Sequence, residues 1–109
     1  MGLNMRKLLG ALIAFVLIAP AGAAGQGPRH TVTIEGVQYS PADLLVHPGD
    51  RIVWVNKDLF PHTVTAGSKV FDSGSIAANS SWSYTVTKKG EIDYSCTFHP
   101  TMKGKIRVQ

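Results

Sequence analysis

Cys96, His99 and Met102 stand three residues apart in the segment Tyr94-Ser95-Cys96-Thr97-Phe98-His99-Pro100-Thr101-Met102. Each step of three permits a tight turn, so a thiolate, an imidazole and a thioether at C-x2-H-x2-M spacing can be aimed at one point. A second imidazole, His62, lies far enough upstream to sit on an adjacent strand. Two imidazoles, one thiolate and a weak axial thioether are the donor set of a mononuclear copper electron-transfer site. Zinc also takes Cys and His, but a structural zinc site does not normally use Met. Taken singly, each residue has an ordinary reading. A lone Cys is most often a small buried hydrophobe, a lone Met is core filler, and a lone His is a surface or satisfied core group. The joint pattern argues otherwise. Met1 and Met5 belong to the extreme N-terminus, so the remaining chain holds two sulfurs, and both fall in this one spaced motif. His30 and His47 lack such company: His47 reads as part of a turn and His30 as an exposed strand-edge residue.

The elements that must position these donors are read from the rest of the chain. The sequence has 109 residues, one Cys, 44% hydrophobic and 17% charged residues. That excludes a multidomain enzyme, a disulfide scaffold and a disordered acidic tail. Residues 1–23 read as a secretory signal: Arg6 and Lys7 supply the positive start, Leu8 to Ala19 an apolar run, and Ala21-Gly22-Ala23 a cleavage site. The apolar run is shorter than the ~20 residues of a membrane span, so the expectation is an exported protein without stable membrane insertion. The formal net charge of +4 falls when Arg6 and Lys7 leave, and nothing points to nucleic acid. Residues 24–109 read as one domain. Period-two alternation dominates it, at Val32 and Ile34, Leu44 and Val46, Trp82 to Val86, Ile92 to Cys96, and Ile106 with Val108. Turn signals such as His47-Pro48-Gly49-Asp50 and Lys88-Lys89-Gly90 separate these runs. The class is all-β, a sandwich or barrel. Parity adds that Cys96 shares a face with Ile92 and Tyr94, His62 with Val64, and Met102 with Ile106.

On these residues the chain resembles the cupredoxins, the type 1 blue copper proteins, and within them the amicyanin, plastocyanin and pseudoazurin group. The resemblance rests on Val53-Trp54-Val55-Asn56, Phe60-Pro61-His62-Thr63-Val64, Gly90 to Tyr94, the Cys96-to-Met102 loop and the strand from Gly104 to Val108. The short C-x2-H-P-x-M loop is most similar to amicyanin. Phe60 departs from it, because amicyanins tend to carry Met before the Pro-His pair. The resemblance implies a Greek-key β-sandwich of about eight strands with one type 1 copper at one end. It also implies that His62, Cys96 and His99 are equatorial ligands and Met102 the axial one. Asn56 matches a family position whose side chain ties the two ligand-bearing segments together. Phe60, Pro61, Phe98 and Pro100 are expected to form an apolar docking rim around the His99 edge. The implied function is periplasmic one-electron transport by a monomer between redox partners, either a c-type cytochrome or a periplasmic dehydrogenase such as an amine dehydrogenase. The competing reading is a copper carrier or buffer with no redox partner. A catalytic multicopper role is not expected, because Ser95 and Thr97 flank Cys96 where such enzymes place His.

Overall fold

A computed structural model describes residues 13–15 and 27–109. The expected secretory signal, residues 1–23, lies outside the described residues apart from three exposed positions. All regular elements described are strands: β1 (Arg29–Ile34), β2 (Tyr39–Ser40), β3 (Asp43–Val46), β4 (Arg51–Asn56), β5 (Thr65–Ala66), β6 (Ser81–Thr85), β7 (Gly90–Ser95) and β8 (Lys103–Val108). They form two four-stranded sheets, β2-β1-β4-β6 and β3-β8-β7-β5. The expected all-β sandwich is thus what forms.

Every connection except β1–β2 and β7–β8 crosses from one sheet to the other. Crossing is what allows a parallel pair in each sheet, β1 with β4 and β3 with β8. β4 lies between β1 and β6 and is buried on both faces, with Ile52, Val53 and Trp54 in the interior. Its sequence RIVWVN suits that place, because β-branched and aromatic side chains pack well on a doubly covered strand. β8 alternates instead: Gly104, Ile106 and Val108 are buried, while Lys105 and Arg107 reach solvent. Arg107 there grips Asp43 on β3 at 2.9 and 3.0 Å.

The two sheets close on one cluster that includes Val32, Ile34, Trp54, Val64, Val86 and Ile106. Burying each such side chain contributes roughly 1.5–3 kcal/mol. Cys96 and Met102 belong to the same cluster. The parity expectations hold, with Tyr94 and Cys96 buried together, His62 with Val64, and Met102 with Ile106.

One expectation is corrected. His30 is not an exposed edge residue. It is half-buried, and its Nε2 lies 2.8 Å from Oδ2 of Asp50. The cause is Asp50, whose carboxylate is buried and needs a donor.

Candidate metal centre

The loop between β7 and β8 is built from nested turns at the spacing of its ligand candidates. His99 N–H donates to Cys96 O at 3.2 Å, and Met102 N–H donates to His99 O at 2.9 Å. Cys96 N–H closes the loop on Met102 O at 3.2 Å. Each third residue is therefore returned to the same side. Cys96 is fully buried, Met102 is 3% exposed and His99 is half-buried.

His62 arrives from the opposite sheet connection. Its backbone pairs with Ile76 in an isolated bridge, with hydrogen bonds of 3.2 and 2.7 Å. Its ring is fully buried, with Nδ1 3.7 Å from Cys96 Sγ. His99 Nδ1 lies 4.0 Å from the same sulfur. The candidate ligand atoms of His62, Cys96 and His99 all lie within 4.8 Å of one another.

Three groups orient this set. His62 Nε2 lies 2.7 Å from Asp58 Oδ2. A carboxylate there keeps the proton on Nε2 and leaves the Nδ1 lone pair facing the sulfur, an arrangement typical of metal-bound histidine. Asp58 also accepts the N–H groups of Gly36 and Val37 at 2.7 and 3.0 Å. Burial alone would raise its carboxyl, but the Val37, Gly36 and His62 donors outweigh burial and hold it below the usual range.

Thr63 is the second group. Its N–H donates to Cys96 Sγ at 3.3 Å, and its Oγ1 accepts Thr97 N–H at 2.9 Å. Burial raises the Cys96 thiol, and the N–H groups of Thr63 and Phe98 oppose it by favouring the thiolate. The thiolate is the form that binds metal.

Asn56 is the third group, and its role differs from expectation. Its Nδ2 donates to Phe60 O at 2.9 Å and to Ile76 O at 3.0 Å, and its Oδ1 accepts Asp58 N–H at 2.9 Å. It thus folds the His62 loop onto the Ile76 segment. The tie between the two ligand-bearing segments is made by Thr63, which sits beside His62 and reaches both Cys96 and Thr97.

Phe60, Pro61, Phe98 and His99 line one apolar surface depression. Phe60 and Phe98 are 44% and 53% exposed. The Phe60 ring centroid lies 5.8 Å from that of His99 and 5.1 Å from that of His62. Pro100 is exposed on the same loop but does not line the depression. Leu59, next to Phe60, is 92% exposed.

Oxygen donors do not contribute to the inner set, and a thiolate with two imidazoles excludes magnesium and calcium. A buried thioether at the end of the same loop favours copper over zinc. A β-sandwich carrying His62, Cys96, His99 and Met102 in this arrangement defines a type 1 copper protein. The comparisons agree. The family model of the cupredoxin-like domain matches residues 8–108, and the chain belongs to the cupredoxin family. It is 32% identical to amicyanin of Paracoccus denitrificans over 83 residues, which are 72% of this chain and 63% of that protein. It is 31% identical to amicyanin-alpha of Methylorubrum extorquens over 105 residues, 92% of this chain and 82% of that one. Among solved structures, a Cu(I) form of an amicyanin variant superposes with a TM-score of 0.71 at 32% identity, covering 83% of this chain and 90% of that one.

Proposed function

We propose that this protein is a small periplasmic blue copper protein that carries single electrons between redox partners and catalyses no reaction of its own. The observation that carries this reading is the convergence of His62, Cys96 and His99 within 4.8 Å, with His99 reaching the apolar face of Phe60 and Phe98. Copper, when bound, supplies a one-electron Cu(I)/Cu(II) couple to which a thiolate, imidazoles and a thioether are all acceptable ligands.

The chain's own residues perform the rest. Thr63 holds the sulfur through its N–H and the Cys96 loop through its hydroxyl. Asp58 fixes the orientation of the buried His62 ring. Nested turns hold His99. A donor set fixed in advance rearranges little when the charge changes by one, and that keeps electron exchange fast. Burial of Cys96, His62 and Met102 favours retention of the metal, which suits an electron carrier better than a copper-delivery protein.

The face around His99 is the proposed port. Weak redox encounters use small interfaces, and two exposed aromatic rings beside one imidazole are adequate. The partners that suit it are a c-type cytochrome or a periplasmic dehydrogenase such as an amine dehydrogenase, met by the protein as a monomer. Phe98→Ala and Phe60→Ala are expected to slow electron transfer to such a partner by about tenfold, the loss of about 1.4 kcal/mol of encounter free energy. Their visible spectra should stay those of the parent. Unchanged transfer rates with intact spectra would remove the port.

A further inference from the structure

At the end of the sandwich away from the copper ligands, three side chains outside the copper centre meet. β1 and β4 run parallel, with His30 opposite Ile52, so His30 stands beside Asp50, which immediately precedes β4. Asp50 is 2% exposed. Its Oδ2 lies 2.8 Å from His30 Nε2 and 3.8 Å from His47 Nδ1. The second distance is too long for a hydrogen bond. The His47 ring is 71% exposed, and its Nδ1 is turned toward a buried carboxylate that already touches another imidazole.

The backbone holds this arrangement without help from the His47 ring. Asp50 N–H donates to His47 O at 3.0 Å, and Asp50 Oδ2 accepts His47 N–H at 3.0 Å. Gly27 packs so closely on Asp50 that a Cβ there would strike the carboxylate. The neighbouring cation of β4, Arg51, is turned away toward Ser83 Oγ on β6 at 3.1 Å. The carboxylate therefore keeps its negative charge for the two histidines.

Two imidazoles and one carboxylate are ligands for Zn²⁺ and, with higher affinity in the general order of divalent metals, Cu²⁺. We propose that His30, His47 and Asp50 form a second, solvent-facing site for a divalent first-row cation. The exposed His47 ring turns inward to complete it, and His30 exchanges its Nε2 proton, through solvent, for one on Nδ1 as the metal takes the Nε2 position. The site lies about 20 Å along β4 from the copper end, at ~3.3 Å per residue, so it fills independently of the copper.

Equilibrium dialysis of tag-free, copper-loaded protein against Zn²⁺ tests this, with the visible band monitoring the copper centre. The expected result is one Zn²⁺ per chain with the band unchanged. His47→Ala and His30→Gln should each weaken that binding at least tenfold, and Cys96→Ser should keep it. His47→Ala removes only an exposed ring, so loss of fold does not confound that variant. Three results would overturn the proposal: no bound Zn²⁺, binding that bleaches the band, or binding equally tight in both histidine variants. The copper reading fails separately, by a missing band in the unmutated protein.

Discussion

The contact between His62 Nε2 and Asp58 does two things at once. It fixes the tautomer that presents Nδ1 to Cys96, and it fixes the plane of a ring that has no solvent contact. Asp58→Asn keeps the shape and removes the charge, so the His62 ring loses its strongest anchor. Metal affinity is expected to fall by about 10–100-fold, measured by competition with a copper chelator. Affinity equal to that of the parent would show that the imidazole needs no carboxylate. At this scale the sequence showed the ligands and hid their supports. Cys96, His99 and Met102 stand out because soft donors are rare and evenly spaced. Asp58 and Thr63 do not, because an acid in a loop and a threonine in a β-rich run are commonplace. Spacing offers one signal for Asp58, which lies four residues before His62, but nothing in that interval marks it from sequence alone.

Between elements, a chain of packing contacts supports the sulfur from below. Gly104 on β8 faces Tyr94 on β7, and the tyrosine ring occupies the space a Cβ would need. Tyr94 meets Tyr39 of β2 edge-on, with centroids 4.7 Å apart. The Tyr39 hydroxyl donates to Thr63 O, and Thr63 N–H donates to Cys96 Sγ. Burial raises both phenols, Tyr94 to about 12, so Tyr39 remains a hydroxyl donor across the physiological range. Gly104→Ala forces the Tyr94 ring to move and is expected to cost about 1–3 kcal/mol, read as a lower urea midpoint with unchanged slope. A midpoint equal to the parent's would show that the ring yields freely. The strands themselves were legible where one face is buried, as in β8. The segment between β4 and β6 was not, because its buried residues Phe71 and Ile76 follow neither a helical nor a strand period. Their places are set by bridges to Thr65, which pairs with Asp72, and to His62.

The whole molecule is divided between its two ends. The copper ligands gather at one, and the Asp50 cluster closes the other. Pairing of β1 with β4, which builds the second end, could not be read from alternation, because a period of two states which face is buried and not which strands are neighbours. The asymmetry has a consequence in acid. The His47 N–H first and the His30 ring second hold the Asp50 carboxyl below the usual range, against a smaller opposing effect of burial. A carboxyl depressed in the folded state stabilises the fold above its unfolded value of ~3.9, and that contribution is lost as pH falls through the lower folded value. The urea midpoint of the metal-free protein should therefore drop below about pH 4, and drop less steeply in Asp50→Asn. Parallel acid limbs in the two proteins would show that Asp50 contributes nothing to acid stability.

If Cys96 binds copper as a thiolate between two histidines, a visible spectrum shows it. The protein, titrated with Cu(II), is expected to develop an intense blue thiolate-to-copper band that saturates at one equivalent and bleaches reversibly with reductant. Cys96→Ser should develop none. A colourless complex in the parent, or a band that survives in Cys96→Ser, would mean that the Cys96 thiolate does not hold the copper.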